Sequence, residues 1–392
     1  MGMLIIGFKI AEHCTAWSGG VVSLSLDPFR IEMSPPGLGL LFANEGVTAN
    51  APKADFLPPA YRNRVYNTSA SIQSGDRWYR EFPNYTGGNM SITSSNPGMG
   101  MPARPKITTS TIQEKKQRRE FITCLTAYDY ATARLVDEGG IDLILVGDSL
   151  AQVVLGYDST LPVTMEEMLH HTRAVRRAVR SAMVIADMPF GTYQGDVKEG
   201  VANAVRFVKD GGAEAVKVEG GEKRADLVRR ILDSEVPVMG HIGLTPQSLH
   251  KMGGYKVQGK DLSGIERLMK DAVALDRAGV FSIVLEGVPR EVAAMITREV
   301  TAPTIGIGAG PECDGQVLVF HDIVNLSFAP PAKFVRQYGD AAALIRNAVA
   351  QFKADVESGG YPSDAESYHL PGSTKADLEA ILRRKEMKMH AR

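Results

Sequence analysis

The sequence predicts a (β/α)8 barrel, the TIM barrel, within the α/β class, over roughly residues 104–365 of the 392-residue chain. From Ile107 onward, short apolar runs alternate with amphipathic helical patterns, which is typical of parallel strands joined by crossover helices. Eight such runs can be counted, and eight strands close a barrel. Several runs end in charged residues, at the face where such barrels gather functional side chains.

The local signals agree with this order of elements. The predicted strands are 122–128, 142–149, 182–190, 215–220, 237–243, 282–287, 303–310 and a weaker run at 318–324. Thr164 begins a helix with a capping box, because Glu167 stands three residues on. Glycine pairs at 139 and 211 are expected to end helices. Residues 244–264 form a long loop after the fifth strand, which indicates a binding loop or a lid.

The overall composition excludes several classes of partner. The 44 basic and 45 acidic residues leave a net charge of −1, so neither nucleic acid nor anionic lipid is favoured and the ligand is expected to be small. Cys14, Cys124 and Cys313 are too scattered for a disulfide framework, which predicts a reducing, cytoplasmic setting. No apolar run approaches the roughly 20 residues that span a bilayer, and no signal peptide is expected.

The two ends of the chain differ from the predicted barrel. Residues 1–103 are rich in Gly, Pro, Ser and Asn without sustained periodicity, which predicts a poorly ordered amino-terminal extension. Its first hundred residues carry seven charges of each sign, unlike a transit peptide, so we favour an upstream mis-start, with Met90, Met99 or Met101 as the native start. Residues 366–392 are predicted to form a charged tail.

Polar residues end five consecutive predicted strands. In strand order they are Gly147, Asp148 and Ser149, then Asp187, then Lys217 and Glu219, then His241, then Glu286. Each charged residue interrupts an apolar run, where an ionised group is costly unless it is paired or bound to a metal. Lys217 and Glu219 are two apart on one strand and therefore face the same way.

Three of these residues indicate a metal site. Asp148, Asp187 and Glu219 come from neighbouring strands and form an all-oxygen cluster whose charge a hard cation such as Mg²⁺ would neutralise. A single aspartate here could equally cap a helix, but three together favour a site. We expect His241 to be a hydrogen-bonded core residue, or a residue that supports the metal ligands, and not a ligand itself. Glu286 is either a structural salt-bridged carboxylate or a general base.

The ordered motifs resemble those of one family. The run LTAYDYATARLVDEGGIDLILVGDSLAQVVLGYDSTLPVTMEEM resembles the opening of ketopantoate hydroxymethyltransferases. Later segments resemble that family in the same order: ADMPFGTY, VKVEGG, GHIGLTPQS, GGYKVQGK, VLEGVP, IGIGAG, DGQVLVFHD and ESGGYPSD. The resemblance covers residues 125–364, while the first hundred residues and the last twenty or so fall outside it.

This resemblance implies both a reaction and a fold. The family transfers a hydroxymethyl group from 5,10-methylenetetrahydrofolate to 3-methyl-2-oxobutanoate and forms 2-dehydropantoate, on the route to pantothenate and coenzyme A. It does so through a magnesium-stabilised enolate, on a barrel of the phosphoenolpyruvate mutase-like type. A large cytoplasmic homo-oligomer is also implied.

The resemblance also implies roles for individual residues. The metal positions match Asp148, Asp187 and Glu219. The positions that hold the oxo acid match Asp148, Ser149, Asp187 and Lys217. The proton acceptor matches Glu286. His241 is expected to support the metal ligands by hydrogen bonding and not to bind the metal itself.

Two other functions compete with this one. One is a different magnesium-dependent enolate lyase or mutase on the same barrel, although many such lyases use a lid-loop cysteine and none occurs between Cys124 and Cys313. The other is a catalytically silent assembly protein, against which the complete set of metal, lysine and base positions argues. A turnover assay distinguishes them.

Overall fold

The computed structural model describes residues 104–390 in full and, before them, three short strands. The chain divides into two units, residues 1–96 and 97–392, and the three strands belong to the first. They pair antiparallel in the order Val22–Leu26, Phe29–Met33 and Leu41–Phe42. Most of the expected poorly ordered extension lies outside the described residues, so that expectation stays a prediction.

Eight parallel strands close a barrel in the second unit, which confirms the predicted fold class. The strands are β1 (Ile122–Thr126), β2 (Leu143–Val146), β3 (Met183–Asp187), β4 (Ala215–Glu219), β5 (Val238–Gly243), β6 (Ser282–Glu286), β7 (Thr304–Ile307) and β8 (Gly315–Leu318). Neighbours in the chain are neighbours in the barrel, and β8 closes it by pairing with β1 through Val317 and Cys124. The first seven predicted strands are confirmed, with their ends a few residues shorter.

The eighth strand was predicted at the wrong place. It spans Gly315–Leu318, and Phe320–Ile323, which the prediction assigned to the strand, is a helix. A Cβ at Gly315 would lie 2.4 Å from the carbonyl oxygen of Ile122, so this glycine permits the close approach of β8 to β1. The strand therefore starts with residues of low apolar content, while the apolar run that suggested it continues into the helix.

Helices follow the strands around the outside of the barrel. The α-helices are α1 (Thr109–Arg118), α2 (Tyr130–Glu138), α3 (Leu150–Val153), α4 (Met165–Ala178), α5 (Val197–Arg206), α6 (Ala225–Leu232), α7 (Leu249–Met252), α8 (Leu262–Ala278), α9 (Arg290–Glu299), α10 (Phe320–Ile323), α11 (Ala341–Ser358) and α12 (Gly372–His390). The expected charged tail thus contains α12, whose residues are all exposed. Among the described residues, no helix has the length and apolar character to cross a membrane.

The predicted helix signals are confirmed. The Thr164 hydroxyl accepts a hydrogen bond from the Glu167 N–H, and the Glu167 carboxylate accepts one from the Thr164 N–H at 2.8 Å. Gly139 caps α2, and Gly212, in the left-handed region at φ 77°, ends the π-helical turn Phe207–Gly211 after α5.

Side chains inside the barrel change from apolar to polar along the strands. On β3 the lumen-facing series ends with Ile185 and then Asp187, and on β5 it runs from Met239 to His241. Alternate residues of a strand face the same side, so the apolar members fill the barrel and the polar members collect at its carboxyl end. The core thereby fixes the position of the candidate site.

Gly243, at the end of β5, permits a close approach of β5 to the backbone of β6. Gly243 has φ 96°, and a Cβ there would lie 2.2 Å from the carbonyl oxygen of Glu286. We expect Gly243→Ala to lower the free energy of unfolding by at least about 2 kcal/mol, because alanine adds both backbone strain and a clash.

Chemical denaturation of the purified variant would measure this loss. Gly339→Ala is the matched control, because a Cβ at Gly339 meets no atom within 4 Å. It should change the stability by no more than about 0.5 kcal/mol. Equal denaturation midpoints for the two variants would contradict the packing assigned to Gly243.

Candidate active site

The strand register brings the predicted site residues together at the carboxyl end of the barrel. Asp187 on β3 lies beside Lys217 on β4, and Glu219 on β4 lies beside His241 on β5. All four side chains are buried. Asp148, in the turn after β2, is also buried and donates its N–H to the Asp187 carboxylate at 3.2 Å. Five predicted residues from four consecutive strands therefore form one cluster.

Lys217 lies at the centre of this cluster. Its Nζ is 2.9 Å from Asp187 Oδ2, 3.9 Å from Glu219 Oε1 and 3.1 Å from His241 Nδ1. Burial lowers the pKa of Lys217, but the surrounding carboxylates outweigh that effect and raise it above its usual value. The ammonium group therefore stays charged inside the barrel.

The carboxylates differ in how easily they ionise. Burial, with the charges of Asp187 and Glu219, raises the pKa of Asp148 well above its usual value. Burial also raises the pKa of Asp187, although Lys217 opposes it. For Glu219 the effect of burial is outweighed by His241 and Lys217, and its pKa is lowered. A cation beside the two aspartates would favour the ionised form of both.

The donor set fits a hard cation held mainly by the two aspartates. Asp187 Oδ1 and Glu219 Oε1 are buried without a hydrogen-bond partner among the described residues. Within residues 104–390, no three His, Cys, Asp or Glu groups form a metal site made of protein groups alone. Mg²⁺ commonly binds one or two carboxylates and keeps several waters, so Asp148 and Asp187 suit direct ligands. Glu219, which faces Lys217 and His241, suits a contact through water.

His241 connects the cluster to Glu286. Its Nδ1 is 3.4 Å from Glu219 Oε1, and its Nε2 is 3.2 Å from Glu286 Oε2. Burial and the Lys217 charge lower the pKa of His241, but Glu219 and Glu286 raise it more, to about 9. Glu286 ends β6 and is more exposed than the other carboxylates, at 17% of its side chain. A substrate held over the cluster would therefore meet Glu286 from the solvent side.

Ser149 is held by a hydrogen bond to a buried tyrosine, Tyr128. It follows Asp148 at the start of α3, and its Oγ is 2.8 Å from the hydroxyl of the buried Tyr128. This contact fixes one side of the Ser149 hydroxyl. Tyr128 follows β1 and was not predicted as a site residue, although it lies in the matched run LTAYDY.

Sequence reasoning also missed Gln247, which ties the carboxylates together. Its Nε2 donates to Asp148 Oδ2 at 3.0 Å and to the Met188 carbonyl at 2.9 Å, while its backbone N–H donates to Glu219 Oε2 at 3.1 Å. Its Oε1 accepts from the Tyr193 hydroxyl at 2.6 Å. The available signal was the long loop at 244–264, which was expected to bind a ligand but in which no residue was singled out.

A closed (β/α)8 barrel with carboxylates, a lysine and a histidine at the carboxyl ends of its strands has the architecture of a barrel enzyme. The family model described as ketopantoate hydroxymethyltransferase matches residues 106–364. The chain belongs to the ketopantoate hydroxymethyltransferase family, which confirms the family resemblance drawn from the motifs.

Curated relatives carry one shared name. The chain is 70% identical to the 3-methyl-2-oxobutanoate hydroxymethyltransferase of Koribacter versatilis over 72% of this chain and 96% of that protein. It is 54% identical to the enzyme of that name from Syntrophomonas wolfei, over 68% and 96% of the two chains. Among solved structures it is similar to 2,3-dimethylmalate lyase, a PEP mutase/isocitrate lyase superfamily member, at 18% identity, a TM-score of 0.44 and coverage of 74% and 100%. The barrel fold itself follows from the pairing of the eight strands.

Proposed function

We propose that this chain transfers a hydroxymethyl group from 5,10-methylenetetrahydrofolate to 3-methyl-2-oxobutanoate and forms 2-dehydropantoate. In the overall reaction the C3–H bond of the oxo acid breaks and a bond from C3 to the one-carbon unit forms. Water supplies the hydroxyl oxygen, and tetrahydrofolate leaves. The observation that carries the proposal is the convergence of Asp148, Asp187 and Lys217 beside the His241–Glu286 pair.

The anionic oxo acid can bind to this cluster through the positive charge of Lys217. Lys217 stays charged although it is buried, so it can attract the substrate's carboxylate and 2-oxo oxygens. Ser149 adds a hydroxyl that Tyr128 orients. We assign substrate binding to Asp148, Ser149, Asp187 and Lys217. The two aspartates would act on the substrate through a shared cation, because carboxylates alone would repel it.

Asp148 and Asp187 would hold the divalent cation, Mg²⁺, with Glu219 contributing through water. When bound, this cation supplies Lewis-acid polarisation of the 2-oxo group. Gln247 keeps the Asp148 carboxylate in place with its amide and the Glu219 carboxylate with its backbone N–H. The protein thus aligns its oxygen donors before the substrate arrives.

Glu286 is the proposed base for the C3 proton. The carboxylate ends a strand, is partly exposed, and lies 3.2 Å from His241 Nε2. His241, whose Nε2 is 3.2 Å from Glu286 Oε2, would position Glu286 for this step. Because Glu286 is more exposed than the other carboxylates, it could reach the substrate carbon from the solvent side.

Product formation tests the proposal directly. The purified protein should form 2-dehydropantoate from the oxo acid and methylenetetrahydrofolate with Mg²⁺, and exhaustive chelation should remove the activity. Carbon–carbon bond cleavage of a related oxo acid, with no folate-dependent product, would instead support the enolate lyase or mutase. No turnover under any of these conditions would support the silent assembly protein.

Gln247 offers a test of how the carboxylates are held. Gln247→Ala should weaken cation binding by about 10- to 100-fold, because supporting residues commonly contribute that much to metal affinity. Mn²⁺ binding followed by electron paramagnetic resonance would measure it. Gln113→Ala, an exposed amide on α1, is the control and should leave the affinity unchanged. Unchanged affinity in the Gln247 variant would remove the role assigned to this side chain.

The amino-terminal extension is proposed to be dispensable, because residues 1–105 fall outside the family match. A chain lacking residues 1–100 should fold and turn over like the full chain. Insolubility, or loss of turnover, in the shortened chain would show that the extension supports the barrel. The cytoplasmic location and the large homo-oligomer implied by the resemblance are proposed on that basis alone.

A further inference from the structure

A cavity of about 280 Å³ adjoins the carboxylate cluster. Its buried wall includes Glu219, a member of the cluster, and Gln247 and Tyr193, which support the cluster. The rest of the lining includes two apolar side chains, Leu161 and the half-exposed Phe190. Its volume falls just below the usual range for small-molecule pockets, so it suits part of a larger ligand.

Four basic side chains from two separate segments line this cavity. Lys223 and Arg224 lie in the turn after β4, and His250 and Lys251 lie in α7 after β5. Among the ion pairs within residues 104–390, none joins these four to a carboxylate within 4.0 Å. The chain as a whole is nearly neutral, so this is a local excess of positive charge.

The positively charged side chains that line the cavity also repel one another. Burial and the neighbouring charges of Arg224 and Lys251 lower the pKa of Lys223. The guanidinium of Arg224 lies over the Tyr193 ring at 5.3 Å, and its Nε is buried without a hydrogen-bond partner among the described residues. The lining holds the cationic Lys223, Arg224 and Lys251 against one carboxylate, Glu219, and such an excess of positive charge concentrates anions. An anionic ligand would relieve the repulsion and supply the missing partner.

We infer that this cavity binds the carboxylate-bearing glutamyl tail of the folate co-substrate, an inference that rests on the proposed function. The one-carbon end of the folate has to reach the cluster, and the cavity shares Glu219 with the cluster and is lined by Gln247, which contacts Glu219 and Asp148. The tail carries its carboxylates away from that end, toward Lys223, Arg224 and Lys251. Phe190 offers an aromatic face to the aminobenzoyl ring between the two ends.

Equilibrium binding to the full-length protein, with Mg²⁺ and the oxo acid present, tests this assignment. The probes are tetrahydrofolate with one glutamate, tetrahydrofolate with three glutamates, and a tetrahydropterin that lacks the tail. In Lys223→Gln/Lys251→Gln, the Kd of the triglutamyl form should rise about tenfold, as expected for lost charge-assisted contacts. The Kd of the monoglutamyl form should rise less, and that of the tail-free pterin should not change.

Lys209→Gln/Lys375→Gln is the control with the same change in net charge, because both lysines are exposed and lie outside the cavity. All three Kd values should stay as in the wild type. An equal rise for tailed and tail-free probes, or no rise in the cavity variant while the wild type makes product, would overturn the inference and leave the proposed function standing.

Titration of the same proteins with inorganic phosphate tests whether the cavity binds a phosphorylated ligand instead of a glutamyl tail. Binding of phosphate that depends on Lys223 and Lys251, without any preference for the longer tail, would assign the cavity to a phosphorylated ligand and overturn the inference. A wild-type protein that binds no folate and makes no product would instead remove the proposed function itself.

Discussion

Asp187→Ala is expected to abolish product formation, with turnover lower by at least about 10³-fold. Asp187 is assigned both to the cation and to the substrate, and it forms the 2.9 Å ion pair with Lys217. Its loss leaves the buried lysine without its nearest carboxylate and the cation with one fewer ligand. Steady-state rates over a range of Mg²⁺ concentrations, with Mn²⁺ binding measured in parallel, would check both consequences.

Asp142→Asn is the matched control for this experiment. Asp142 is also buried and also paired with a lysine, Lys115, at 2.7 Å, but it precedes β2 at the opposite end of the barrel. This variant should lose stability yet keep the same dependence on Mg²⁺. Normal cation binding and turnover in Asp187→Ala would refute the metal assignment.

Glu286→Gln is expected to separate proton removal from substrate binding. Without folate, the wild-type protein should exchange the C3 hydrogen of 3-methyl-2-oxobutanoate with deuterium from solvent, because the proposed removal of this proton does not require the folate. The glutamine variant keeps the shape but lacks the base, so exchange should fall by about 10²- to 10⁴-fold. Proton NMR of the oxo acid in deuterated buffer would follow the exchange.

Substrate affinity distinguishes this role from a structural one. The oxo acid should bind Glu286→Gln nearly as well as the wild type, because Asp148, Ser149 and Lys217 are unchanged. Glu214→Gln, which removes a carboxylate paired with Lys106 at the other end of the barrel, should exchange at the wild-type rate. Wild-type exchange in Glu286→Gln without product would assign Glu286 to the folate step and make His241 the next candidate base.

Much of the site could be predicted because strand periodicity constrains it. Lys217 and Glu219 were expected to face the same way, and both do, because Lys217 Nζ and Glu219 Oε1 are 3.9 Å apart and both contact His241 Nδ1. Asp148, Asp187 and Glu219 were expected from neighbouring strands, and they follow or end β2, β3 and β4. These placements depend only on alternation along a strand and on parallel strands ending at one face.

The residues that were missed lie in the connections after the strands, with Gln247 in the short 3₁₀ turn Pro246–Ser248. Gln247 reaches Asp148 across 99 positions of sequence, and Tyr193 reaches Gln247 across 54. Loop backbones have no fixed period, so no pattern in the sequence shows where their side chains point. The eighth strand was misplaced for a similar reason, because Gly315 is defined by its closeness to β1 rather than by an apolar run.

The sequence by itself determined the barrel, the family and the set of charged residues at the carboxyl ends of its strands, because repeating apolar patterns and ordered motifs are properties of the chain. Only the tertiary structure decided that Lys217 lies between Asp187 and Glu219, that Gln247 contacts both Asp148 and Glu219, and that four basic side chains from two segments line a neighbouring cavity. These facts depend on distances between segments far apart in sequence, which are set when the barrel closes and its loops pack over it.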